Sequence, residues 1–211
     1  MNKIDSNLSV GVWEITETKQ ELEKRIDLSV EEKKQLNEIK FENKKLQWLS
    51  IRALLKEMLG RQFQIIYTKT GKPFLKNSSL KISISHTDKF AALVINRKEE
   101  TGIDIEKVSN KVERIKNKFL NSSELENIGN SEYLEKLHVY WGAKESLYKV
   151  YGEKELIFKE NLMIAPFEYL NSGTITGKIK KDDSHKNYLL KYEKVQGYVL
   201  VYVLEEINLQ T

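Results

Sequence analysis

Short runs of β-branched and aromatic residues, bounded by Asn, Ser, Gly or Asp, predict strands over 9–15, 63–68, 80–86, 90–96 and 101–108. The runs 80–86 and 90–96 are joined by the polar link Thr87-Asp88-Lys89, which predicts a hairpin. Gly71-Lys72-Pro73 predicts a turn. Ser29 followed by Glu32 is a capping-box pattern, so a helix is expected to start near Val30. Helical periodicity then runs, with a break near Phe41, to Gly60, a glycine suited to a helix C-terminus. Two more helical stretches, 113–119 and 132–151, follow, and the second is expected to end near Gly152. The tail changes character: 174–180, 188–194 and 198–205 predict three strands with turns between them. The expected fold class is therefore α+β. Two α/β halves of roughly 100 residues are expected, with a boundary near 96–102 and too little core in either for confident independence.

Composition narrows the picture. The 211 residues are 40% hydrophobic and 31% charged, which suits a folded domain and excludes low-hydrophobicity disorder for the chain as a whole. No apolar run approaches the ~20 residues of a membrane helix. Residues 1–10 lack the apolar core of a signal peptide, so a cytoplasmic location is expected. The absence of cysteine removes disulfides, thiolate zinc sites and cysteine nucleophiles together. Lys and Arg number 35 against 31 Asp and Glu, a net charge of +4. That balance permits a local basic patch but lacks the excess of a dedicated nucleic-acid binder.

Four segments could carry chemistry. In 101–106, a strand would point Ile103 and Ile105 one way and Asp104 and Glu106 the other. Two carboxylates about 7 Å apart on one face could begin a site for a hard cation such as Mg²⁺. A solvated acidic strand face fits the same pattern. In 141–149, Glu145 and Lys149 stand at i and i+4 on a helix, with Trp141 one turn earlier on that side. They could serve as a general base and a phosphate group, or as an ordinary surface pair. On the helix 42–59, Lys45, Arg52 and Lys56 fall within about 40° of one another. They would form a cationic line between the stripe Leu46, Leu49, Ala53 and a second stripe of Trp48, Ile51, Leu55 and Met58. Phosphate binding and helix solubility both explain such a line. Lys72 in its turn and Ser85-His86 at a strand end are weak signals singly. There is no P-loop, G-x-G-x-x-G, G-x-S-x-G or H-E-x-x-H pattern. His138 and His185 have no nearby companions for a transition-metal site.

In order along the chain, Gly71-Lys72-Pro73, Ser85-His86, Gly102-Ile103-Asp104-Ile105-Glu106 and Trp141-x-x-Lys144-Glu145-Ser146-x-x-Lys149 resemble the 4′-phosphopantetheinyl transferases. The length and two-half layout resemble the surfactin-synthetase-activating (Sfp-type) subgroup. The resemblance implies two similar α/β halves related by a pseudo-twofold axis, with the active site at their interface. Residues 1–100 would form the half on the coenzyme A 3′-phosphate side, and 101–211 the half with the metal and catalytic motifs. The implied reaction moves the phosphopantetheine arm of coenzyme A to a serine of an acidic apo acyl or peptidyl carrier protein, with Mg²⁺ required. Asp104, Glu106 and Glu145 would ligate Mg²⁺. Glu145, Lys149 and Lys144 would be catalytic, and Lys45, Arg52, Lys72, Ser85 and His86 would hold coenzyme A. A monomer with neither nucleic-acid nor membrane partners is implied. Thr87 follows His86 where the family often has serine, and Glu124 matches an acidic family position loosely and stays outside the metal set.

Two other readings use the same residues. A Mg²⁺-dependent nuclease or phosphodiesterase could employ Asp104, Glu106 and the Glu/Lys pair, although the spacing does not resemble the nuclease pattern. A non-catalytic relative that binds coenzyme A or a carrier would be expected to have lost charged motif residues that this chain retains.

Overall fold

The computed structural model describes residues 7–129, 132–153 and 155–208, together with the backbone of residues 2 and 3. The chain forms two compact units, Met1–Lys98 and Glu99–Thr211.

The N-terminal unit holds a four-stranded antiparallel sheet in the order β1 (Asn2–Lys3), β2 (Leu8–Glu14), β6 (Phe90–Asn96), β5 (Lys81–His86). Every residue of β6 is buried, as its unbroken apolar sequence requires of a central strand. A separate hairpin pairs β3 (Ile65–Tyr67) with β4 (Pro73–Leu75). Among the described residues the helices of this unit are α1 (Lys19–Arg25), α2 (Val30–Glu38) and α3 (Glu42–Leu59). Ser29 and Glu32 form the expected reciprocal cap of α2. Thr18 and Glu21 form the same box on α1, a helix whose capping pattern the sequence reading passed over. The chain does break at Phe41, which serves α3 as an N-cap without a side-chain bond. Helix α3 is buried on two sides. Leu49 and Ala53 meet Leu22, Ile26 and Leu36, while Ile51, Leu54 and Leu55 pack with Ile82, Leu93 and Ile95 of the sheet. Trp48 joins the first of these clusters, opposite to its expected stripe.

The C-terminal unit is a five-stranded antiparallel sheet in the order β7 (Ile103–Lys107), β11 (Tyr198–Ile207), β10 (Ser184–Val195), β9 (Ser172–Lys181), β8 (Leu162–Ile164). Among the described residues, helices α4 (Lys116–Phe119), α5 (Ser122–Asn127), α6 (Tyr133–Tyr151) and α7 (Phe158–Asn161) accompany it. The stretch expected as one helix over 113–119 divides into a 3₁₀ turn, Val112–Ile115, and α4. Asn121 and Glu124 cap α5, a helix the sequence reading did not assign. The core lies between α6 and one sheet face: Leu137, Tyr140, Ala143 and Leu147 pack with Ile175, Leu190, Val199 and Val201. Among the described residues, no helix is long and apolar enough to cross a membrane.

Candidate active site

Strand register aims the acidic residues. Asp104 lies opposite Val201, and Glu106 opposite Val199. Directly paired residues share a sheet face, and both valines belong to the core under α6. Asp104 and Glu106 therefore point toward the helix, and Ile103 and Ile105 point away, as alternation predicts. Asp104 is only 4% exposed. The reading of 104–106 as a solvated acidic face is thus corrected: the face is covered by α6.

Helix α6 comes close because two glycines allow it. A Cβ on Gly102 would collide with the backbone carbonyl oxygen of Ser146. A Cβ on Gly142 would lie 2.8 Å from Val201 Cγ2. The Ser146 hydroxyl then donates to the Val201 carbonyl at 3.1 Å and ties the helix to β11. This contact brings Glu145 and Lys149 over the start of β7. The Lys149 ammonium donates to Asp104 Oδ1 at 2.9 Å and to the Ile103 carbonyl at 2.7 Å.

Electrostatics show that the three carboxylates share one environment. The Glu145 carboxyl is pushed up to about 7, first by burial, then by the charge of Asp104 and less by Glu106, with Lys149 opposing. Glu106 is also raised, by burial and by Asp104, while Lys149 and a hydrogen bond with Trp141 work the other way. Confining like charges in a partly dry site favours protonation of one of them. Among the described residues, no group of three His, Asp or Glu side chains is already assembled to hold a metal ion. The Lys149 ammonium bonds Asp104 and opposes the upward shifts of Glu106 and Glu145. The donor set still suits a hard divalent cation. It is all oxygen, anionic and mutually repelling, and an added cation would relieve the strain that raises Glu145.

Lys144 sits elsewhere. Its side chain is 0% exposed, and its ammonium is taken up by Glu124 Oε2 at 2.6 Å, the Phe119 carbonyl at 2.6 Å and the Phe158 carbonyl at 3.4 Å. Burial lowers its pKa, and Glu124 opposes that shift. Glu124 in turn accepts from the backbone N–H of Ile164 at 2.9 Å and of Asn121 at 2.9 Å. Lys144 thus knits α6 to α4, α5, α7 and β8, and Glu124, matched only loosely from sequence, is its partner. Trp141 packs edge-on against Phe119 and stacks on Phe158 beside this pair. His138 is a structural residue: its Nδ1 lies 2.8 Å from the Leu134 carbonyl, the Ser109 N–H donates to Nε2, and burial lowers its pKa.

In the N-terminal unit the expected cationic line is not open. Arg52 is 1% exposed, and its Nε donates to Glu32 Oε1 at 3.1 Å. Its guanidinium lies over the Trp48 ring and donates to the Trp48 carbonyl at 3.2 Å. Burial lowers its pKa, while Tyr67 and Glu32 oppose. One guanidinium nitrogen, Nη2, is buried without a hydrogen bond. Lys56 donates to the Arg25 carbonyl and pairs with Asp27, and Lys45 pairs with Glu42 at 2.6 Å. His86 ends the edge strand β5 and is exposed. The turn after it is pinned to α3, because Gln47 Nε2 donates to the Thr87 carbonyl at 2.6 Å. Thr87 supplies its hydroxyl to the Phe90 N–H at 3.0 Å, so the residue that departs from the family pattern closes the hairpin. Lys72 lies in the β3–β4 turn, where its backbone N–H donates to Thr68 Oγ1.

No curated protein matches this chain. The family model described as the 4′-phosphopantetheinyl transferase superfamily matches residues 100–203, just under half of the chain. That stretch, similar to the 4′-phosphopantetheinyl transferase superfamily, holds Asp104, Glu106, Glu124, Lys144, Glu145 and Lys149 within the C-terminal unit.

Proposed function

We propose that this protein is a 4′-phosphopantetheinyl transferase of the Sfp type, moving the phosphopantetheine arm of coenzyme A to a serine of an apo acyl or peptidyl carrier protein. The observation that supports this most is Glu145. Within the matched stretch, it is partly buried together with Asp104 and Glu106, beside the Lys149 ammonium that bonds Asp104 at 2.9 Å. The serine hydroxyl attacks the phosphorus bearing the pantetheine arm. A new O–P bond forms, the P–O bond to adenosine 3′,5′-bisphosphate breaks, and the serine proton passes to the Glu145 carboxylate.

Asp104, Glu106 and Glu145 are the residues that would hold Mg²⁺. When bound, it would neutralise charge on the pyrophosphate. Lys149, already held at this group, stabilises the departing phosphate. Lys144 acts by positioning, since its charge is buried against Glu124. For the N-terminal unit, Lys45, Lys72, Ser85 and His86 are assigned to coenzyme A phosphates. Arg52 would reach the 3′-phosphate only if the packing over its buried Nη2 opens.

The test is intact-mass spectrometry of an apo carrier protein incubated with the chain, coenzyme A and Mg²⁺, with an EDTA control. A gain of one phosphopantetheine, prevented by EDTA, is the expected result. No gain with acyl or peptidyl carriers, and no heat of coenzyme A binding, would overturn the proposal.

A further inference from the structure

Helix α6 carries a buried histidine that the proposed chemistry does not use. His138 is 3% exposed and stands seven residues before Glu145 and eleven before Lys149. At 100° per residue, these three side chains fall within about 40° of one another around the helix. They share the side that meets β7. Lys149 bonds Asp104 and the Ile103 carbonyl at the start of the strand, and His138 reaches Ser109, two residues past its end.

The two ring nitrogens have distinct roles. Nδ1 lies 2.8 Å from the Leu134 carbonyl. A carbonyl oxygen can only accept, so Nδ1 carries the proton. Nε2 is then an acceptor, and the Ser109 backbone N–H donates to it at 3.3 Å. Ser109 lies beyond the ladder. Strand β7 pairs with β11 from Ile103 to Lys107, and the Val108 N–H bonds the Gly197 carbonyl at 3.0 Å. Because β7 is the end strand of its sheet, ladder bonds fix it along one edge, and side-chain ties must set where its exit lies. The two ties from α6 bracket Asp104 and Glu106. Asp104 is held directly by Lys149 at 2.9 Å, while Glu106 is on the side that His138 secures, three residues before Ser109.

We propose that His138 is a positioning residue: by accepting the Ser109 N–H it fixes the exit of β7 against α6 and so sets the placement of Glu106 relative to Glu145. The role rests on the assignment of Asp104, Glu106 and Glu145 to Mg²⁺. Loss of the acceptor leaves Asp104 in the grip of Lys149 and frees Glu106 to shift, which opens the set of oxygen donors.

Mn²⁺ titration of the full chain without coenzyme A, followed by electron paramagnetic resonance, tests this in His138→Phe and His138→Gln. Phenylalanine keeps a ring and removes the acceptor, whereas the glutamine side-chain oxygen reaches the place of Nε2. His138→Phe should bind Mn²⁺ about tenfold more weakly than the parent chain, and His138→Gln within about twofold of it, each at a temperature where it is fully folded. A purely structural role would lower Tm and leave that affinity unchanged. If His138→Phe does not fold, His138→Asn, whose amide is too short to reach Ser109, takes its place. Equal Mn²⁺ affinity in the parent and the acceptor-free variant, or an equal loss in His138→Gln, would overturn this role and leave the metal assignment standing. Absence of saturable Mn²⁺ binding by the parent chain would overturn both.

Discussion

The Lys144 ammonium lies 2.6 Å from Glu124 Oε2 with both side chains out of solvent, while Glu145, the next residue, turns to the carboxylates beneath α6. Successive helix residues point about 100° apart. Helix α6 therefore presents a structural ion pair on one face and an acid–base group on another. The two roles are linked, because the pair sets the helix orientation that aims Glu145.

Breaking that pair on one side leaves an uncompensated buried charge. Lys144→Met should cost about 3–5 kcal/mol of stability. The double variant Lys144→Met, Glu124→Gln should recover part of the loss, since a neutral amide can still accept a backbone N–H. Urea unfolding midpoints measure both. Equal stability of the single variant and the parent chain would contradict the structural role.

Glu145 should make stability fall as pH rises. Its folded pKa of about 7 exceeds its ordinary 4.5. Between those values the native state holds a proton that the unfolded chain has lost, so the native state loses ground through that window. The shift corresponds to something on the order of 3 kcal/mol. Glu145→Gln should match the parent at pH 4 and be more stable at pH 8, with Tm read by calorimetry, while carrier transfer is lost.

Lys149 opposes the upward shifts of Glu145 and Glu106. Lys149→Met should move the acidic limb of the pH–rate profile upward and lower turnover. An unmoved limb would separate Lys149 from the ionisation of Glu145.

Gly102→Ala forces a methyl group against the Ser146 carbonyl, a backbone atom that cannot swing aside. A loss of about 1–3 kcal/mol is expected from such overpacking. Transfer activity should drop further than stability alone explains, because Glu145 moves with the helix. Comparing kcat at a temperature where the variant is fully folded checks this.

Arg52→Ala should strip Glu32 of its buried partner and cost about 3–5 kcal/mol. Hydrogen exchange across α2 and α3 should accelerate. A variant of normal stability whose only defect is a raised KM for coenzyme A would show that Arg52 acts on the phosphate and not on the fold.

Much of the framework could be read from the residues. The Ser29–Glu32 box, the apolar run of β6, and Gly60 and Gly152 in left-handed backbone at the ends of α3 and α6 are local signals that tertiary packing did not override. Capping boxes at Thr18–Glu21 and Asn121–Glu124 carried equally local signals for α1 and α5 and were readable but passed over. Strands β4 and β8 have three residues each, too few to show a period.

Two placements are legible in the amino-acid order because they follow from backbone periodicity: the alternation that puts Asp104 and Glu106 on one strand face, and the i,i+4 spacing that puts Glu145 and Lys149 on one side of α6. Which face of β7 is covered, which lysine faces the acids, and whether Arg52 is a surface cation or a buried partner of Glu32 were settled by long-range packing. Those outcomes depend on contacts between residues 20 to 45 positions apart, such as Lys144 with Glu124 and Lys149 with Asp104. A charged side chain is soluble or buried according to the partner that reaches it, and the chain's local pattern carries no record of that partner.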